Sequence, residues 1–296
     1  MPLRFTAASV YAVSIGLFAA TPAGASPFSF STGDPDAKMA TGSRPSSGGK
    51  FEIESGDDFV LTAQTSITAA SFTGLLTGGA TTSDIGAVRV EIYRIFPKDS
   101  NTSRTPNVPT RVNSPSDVEF DDRDSASGNL SFMVGDLGSF SANNSVQPGG
   151  IHGCPCPPAP TTGGDGSITG EEVEFDATFA TPFSLPPDHY FFVPQVEVTD
   201  PSGDFYWLSA PKPIVPPGTS VPPGFTDLQS WTRDENLAPD WLRVGTDIVG
   251  GSPPPTFNAA FSLTGVVAVP EPAGMSLLAL ALTGLGVIRA RRRRPR

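Results

Sequence analysis

The 296 residues predict an all-β protein, a single two-sheet β-sandwich of jelly-roll type, and three observations carry that prediction. The chain holds 31 Gly and 32 Pro, which disfavour long helices because Pro lacks a backbone donor and Gly weakens helix interiors. It also holds 20 Phe, 3 Trp and 4 Tyr, enough aromatic surface to demand a packed interior. Finally, about ten short apolar or alternating stretches recur between turn clusters, the spacing expected of a sandwich.

Taken in order, Phe51–Ile53 and Phe59–Ala63 lead into Ser66–Leu76, which ends at the Gly78-Gly79 break. Ala87–Phe96 is the clearest alternating stretch: Val88, Val90, Ile92 and the Ile95/Phe96 end face in, while Arg89, Glu91 and Arg94 mostly face out. Leu130–Val134, Val173–Phe179, Tyr190–Val198, Phe205–Leu208 and Phe257–Val267 follow. Leu228–Val244 reads as a helical turn or two anchored by Trp231 and Trp241, with Pro239 preventing one long helix. Ala37–Gly49, Pro97–Asp117 and Gln147–Gly166 read as loops. No internal repeat divides the chain, so residues 26–268 form one domain.

Both ends read as addresses. Arg4, the apolar run Ala7–Ala20 and the small-residue site Ala23-Gly24-Ala25 make residues 1–25 a signal peptide, with Ser26 as the mature N-terminus. At the other end, Pro270-Glu271-Pro272 precedes the apolar run Ala273–Ile288, which as a helix would reach ~24 Å, a little short of a ~30 Å hydrocarbon core. Arg289, Arg291, Arg292, Arg293, Arg294 and Arg296 would hold that end at the cytoplasmic surface. These ends take 7 of the 19 basic residues, leaving 12 against 30 acidic ones, or −18, in residues 26–272. Such a body repels polyanions, which argues against nucleic acid as a partner.

Pro-Glu-Pro, one apolar helix and a terminal arginine cluster together resemble the PEP-CTERM sorting signal, over residues 269–296. That signal is found in Gram-negative bacteria that make exopolysaccharide and carry an exosortase, a membrane cysteine peptidase. The resemblance implies that Pro270, Glu271 and Pro272 are read by the exosortase. It also implies that a transiently membrane-anchored chain is processed and delivered to the cell surface or extracellular matrix. In the body, Asp57-Asp58 opening a strand, Val90-Glu91-Ile92-Tyr93, and Phe261–Gly265 at the close resemble a sandwich common in exported bacterial proteins.

Three groups of residues are candidate sites. Cys154 and Cys156, with His152 nearby, are read as a disulfide or an inert loop, with metal ligation and redox chemistry as the alternatives. Asp117, Asp121, Asp122 and Asp124, with Glu119, could supply hard oxygen ligands to calcium but lack EF-hand spacing, so a solvated acidic loop is the expectation and no cofactor is assigned. Trp207, Trp231 and Trp241 would be the contacts with a saccharide ring if exposed. His189 is expected as a satisfied, partly buried imidazole. No nucleophile elbow, zinc-protease motif or phosphate loop is present. The sequence therefore leads to a non-enzymatic exported protein associated with exopolysaccharide, the alternative being a secreted carbohydrate-active enzyme with a carboxylate pair.

Overall fold

A computed structural model describes residues 25–96, 112–147, 161–235 and 240–268. The candidates Ala23, His152, Cys154, Cys156 and the whole of residues 269–296 lie outside them. The strands are β1 (Ser26–Ser31), β2 (Met39–Gly42), β3 (Ile53–Leu61), β4 (Thr65–Leu76), β5 (Ile85–Arg94), β6 (Asp121–Asp124), β7 (Leu130–Ala142) and β8 (Asn144–Val146). They continue with β9 (Ile168–Leu185), β10 (Asp188–Val198), β11 (Phe205–Ala210), β12 (Trp231–Asp234), β13 (Leu242–Arg243), β14 (Asn258–Ala259) and β15 (Phe261–Val267). The fold is all-β with two sheets, as the Gly/Pro content and the alternation require.

One sheet has six strands in the order β13-β12-β3-β10-β5-β6. The other has nine, with the path β1-β15-β4-β11-β2-β8, β14 beside β11, and a branch in which β9 joins β4 to β7. β4 is the spine of this larger sheet. It pairs with β9 along one edge, and on the other with β15 up to Phe72 and then with β11 from Gly74. An irregularity between Ile67 and Ala69 resets its alternation, so Ile67, Ala70, Phe72 and Leu76 all reach the core. Gly74 falls in the same inward series without a side chain. A Cβ there would lie 2.3 Å from the Phe205 ring, which fills the space.

The core between the sheets is aromatic. Phe72 stacks on Phe175 with centroids 4.8 Å apart, Phe205 stands edge-on to Phe175 at 5.5 Å, and Phe192 from the six-stranded sheet stacks on Phe261 at 5.1 Å. Such pairs each add about 0.5–1.5 kcal/mol beyond the area they bury. Alternation in β5 is as expected, with Val88, Val90 and Ile92 in this core.

Three sequence expectations are corrected. In place of the helical turns expected within Leu228–Val244, its described residues hold β12 and β13, and a helical turn follows at Val244–Val249. β12 forms because Trp231 and Arg233 face one way and Thr232 the other, each opposite a residue of β3. The stretch Ala37–Gly49 is not all loop, since Met39–Gly42 is inserted beside β11. The outward positions of β5 do not all meet water, because other segments cover them. Among the described residues no helix is long and apolar enough to cross a membrane.

Candidate functional site

The polar chemistry of the body gathers on the outer face of the six-stranded sheet. Because side chains alternate along a strand, β3 turns Phe59 and Leu61 to the core and Glu54 and Asp58 away from it. By the same rule β5 presents Glu91 and Tyr93, β10 presents His189, Phe191 and Val193, and β12 presents Trp231 and Arg233. This face is not solvated. Ser116–Asp117, Phe225–Leu228 and Trp241 lie over it, and Tyr93, Phe191, Val193, Trp231 and Trp241 form a second apolar layer there.

Within that layer sits a charged network. Arg233 grips Glu54 with two donors, Nε to Oε2 and Nη2 to Oε1, the latter at 2.9 Å. Nη1 of Arg233 donates to the Asp117 carbonyl at 3.2 Å, and its guanidinium lies 4.4 Å from the Trp241 ring centre. The Tyr93 hydroxyl donates to Glu54 Oε1 at 2.6 Å, receives Arg233 Nη2 at 3.0 Å, and has Glu91 Oε2 at 2.9 Å. Glu91 also meets Arg89 Nη2 at 2.8 Å.

One hydroxyl proton cannot serve two carboxylates, so Glu91 must carry its own to bond Tyr93. Burial, then the charge of Glu54, accordingly push Glu91 up to about 8. Burial pushes Glu54 up as well, but the Arg233 charge and hydrogen bond outweigh it and hold Glu54 below its ordinary value. Burial would lower Arg233, and Glu54 reverses that. Burial also raises Tyr93.

Two carboxylates with separated affinities for protons are the pattern of an acid–base pair. Here they are closed off: Glu54 is 5% exposed and Glu91 2%, and neither lines a described cleft. The network clamps the covering segments to the sheet.

A second group lies further along β3. Asp58 Oδ2 is 2.6 Å from His189 Nε2, and the imidazole stacks on Phe191 and faces the edge of Phe225. His189 is thus the satisfied, buried imidazole expected. Asp57, its neighbour in sequence, points the other way and ties the two sheets together, accepting the Ala259 amide at 2.8 Å and the Ser230 hydroxyl at 3.3 Å. Burial, with Asp58 adding to it, pushes Asp57 well above the usual carboxylate range, and burial raises Asp58 too.

Beside this group opens a cleft of about 580 Å³ lined by Lys212, Ile214, Val221, Phe225, Asp227 and Thr256, among others. Its volume suits a small molecule. Its one cation is already committed: Lys212 Nζ bonds the Asp227 and Leu228 carbonyls, Asn258 Oδ1 and the Asp227 carboxylate, all within 3.0 Å. What remains for a ligand is the exposed Phe225 ring among short apolar and hydroxyl side chains.

Comparison with family models, curated proteins and solved structures returns no match. The site has to be read from its own geometry.

The structure places two of the sequence-based candidate groups as follows. Trp207, Trp231 and Trp241 are 1%, 2% and 1% exposed, so none presents a ring to a saccharide. Trp207 Nε1 donates to the Ala260 carbonyl inside the main core, and Trp241 Nε1 to the Ser116 carbonyl in the outer layer. The acidic cluster is dispersed as well. Asp117 is buried in the covering segment, Asp121 pairs with Arg123 at 2.6 Å, Asp122 lies 3.9 Å from Arg89, and Asp124 caps the Ala126 amide. Strand alternation in β6 turns neighbours to opposite faces, and among the described residues no group of three or more ligating side chains is placed to hold a metal ion. Of the cleavage-site residues, Ala25 is exposed and Ser26 begins β1. Sequence reading missed Glu54, Tyr93 and Arg233. The one available signal was Glu91 and Tyr93 sharing a face of β5 with Arg89.

Proposed function

We propose that this is a non-enzymatic exported protein of the cell surface or extracellular matrix, sorted by an exosortase and associated with exopolysaccharide. The observation that carries the reading is the C-terminal arrangement of Pro270-Glu271-Pro272, apolar Ala273–Ile288 and six arginines, directly after a compact unit spanning Ser26–Ala268. The signal peptide at residues 1–25 supplies the matching export step. The non-catalytic part of the reading is supported by the way the charged side chains are used. Glu54, Glu91, Asp57 and Asp58 are buried in ion pairs and hydrogen bonds that hold segments together. We also read the sandwich as a jelly roll, because consecutive strands repeatedly change sheet, from β3 to β4, β4 to β5, β9 to β10 and β10 to β11.

The test is terminal mass spectrometry of the protein recovered from the surface of cells that make it. The reading expects an N-terminus at Ser26 and no peptide from residues 273–296. Replacing Pro270, Glu271 and Pro272 together by Ala should leave the chain in the inner membrane with its tail intact. Surface protein that retains the tail, or unchanged sorting of the triple variant, refutes it.

A further inference from the structure

The edges of the two sheets are unlike one another. β13 has two residues and β8 three, β6 is Asp-Asp-Arg-Asp, and β1 is six residues long with Pro27 as its second. Short length, charge and proline are the usual devices that stop an edge strand from recruiting another chain. β7 carries such devices only from Asp136 onward, where one charge and an irregularity fall together, and its first six residues have none. It runs 13 residues with Asp136 as its one charge, no proline and no lysine, and among the described residues it pairs only with β9.

Its side chains are also incompletely covered. Phe132 and Val134 pack against the main core but remain partly exposed, while Met133 on the opposite face is 72% exposed and Leu137 55%. An irregularity between Asp136 and Gly138 breaks the strand, leaving Leu130–Asp136 as a regular stretch.

We propose that this stretch pairs antiparallel with the same stretch of a second copy, joining two nine-stranded sheets into one. A two-fold axis through Met133 sets the register. Met133 then faces Met133 of the other copy, Phe132 faces Val134, Ser131 faces Gly135, and Leu130 faces Asp136. Each half-covered Phe132 and Val134 gains an apolar neighbour on its open side, and no like charges oppose each other directly. A second copy is the occupant because this register is self-complementary and nothing else on the strand selects a charged partner.

The acidic residues Glu172, Glu174 and Asp176 sit one strand back on β9. Across the seam they lie three strand spacings apart, about 14 Å, beyond the ~8 Å screening length at physiological salt. Their repulsion is thus small in physiological salt and grows as salt is removed. The contact is isologous and consumes the edge of each copy, so assembly closes at two.

Sedimentation of the protein as recovered from the surface of cells that export it tests this across micromolar to millimolar concentrations and at low and physiological salt. The wild type should form a dimer that weakens at low salt. Met133→Lys, on an exposed position, should weaken association roughly tenfold or more by placing two lysines opposite each other. Met133→Glu should do the same. Mixing the two variants should restore a one-to-one heterodimer, which native mass spectrometry would detect, because Lys then faces Glu. A wild type that stays monomeric, a dimer indifferent to both substitutions, or a mixture that fails to associate would each overturn the proposal.

Discussion

Replacing Glu91 by Gln isolates the electrostatics of the outer layer. In the folded protein Glu91 keeps its proton until about pH 8, because burial and the Glu54 charge oppose ionisation. In the unfolded chain it ionises near 4.5. Between those values the folded state binds more protons than the unfolded state, so stability falls as pH rises, and the slope flattens once Glu91 ionises in the folded state. Each pH unit is worth about 1.4 kcal/mol, so across the whole window this one residue removes at most roughly 5 kcal/mol.

The substituted amide stays neutral and can still donate to Tyr93, so Glu91→Gln should lack that slope. Urea unfolding at pH 5, 6, 7 and 8, followed by the emission of the three buried tryptophans, gives both curves. Asp57, Asp58 and His189 are present in both proteins, so the difference between the curves belongs to Glu91 and its coupling to Glu54. The two proteins should be close at pH 5, and the variant should be the more stable by several kcal/mol at pH 8. Parallel curves would mean that Glu91 is ionised in the fold and that the single Tyr93 proton does not decide its state.

Two further substitutions test the clamp and the spine. Arg233→Met should cost about 3–5 kcal/mol at neutral pH by stranding the Glu54 charge, and adding Glu54→Gln should recover most of it, since the double variant leaves no buried charge unpaired; equal loss in single and double variants would contradict this. Gly74→Ala should cost about 1–3 kcal/mol in urea unfolding, because its Cβ would lie 2.3 Å from the Phe205 ring and 2.6 Å from the Tyr206 carbonyl oxygen, and Phe205→Leu in the same chain should relieve only the ring's share; a loss below the error of the midpoint would show that ring and backbone both give way freely.

Alternation makes the interior of the sandwich legible: Val88, Val90, Ile92, Phe175, Phe192 and Phe261 are where a period of two puts them. Alternation tells which residues share a face. It does not tell what covers that face, and this is why Glu91 reads as solvated and why Trp231 and Trp241 read as available aromatics. The cover comes from segments distant in sequence. Arg233 lies 140 positions from Tyr93, and nothing local links them. Short strands such as β2, β8 and β13 escape detection for a related reason. They owe their conformation to the longer strand beside them, and two to four residues carry too little periodicity to be read alone. The Asp57–Asp58 doublet is visible in the sequence, but not that its two carboxylates serve opposite faces.

β1 and β15 set an order of events. Ser26 is opposite Val267, 241 positions away, whereas the β7–β9 hairpin closes between Ala142 and Ile168, 26 positions apart. Closing the longer loop costs about 2 kcal/mol more in chain entropy. The strand that leaves the ribosome first therefore has its partner made almost last. Through nearly the whole of synthesis Phe28 and Phe30 are without the strand that shelters them, and β1 completes the larger sheet only after β15 has docked on β4.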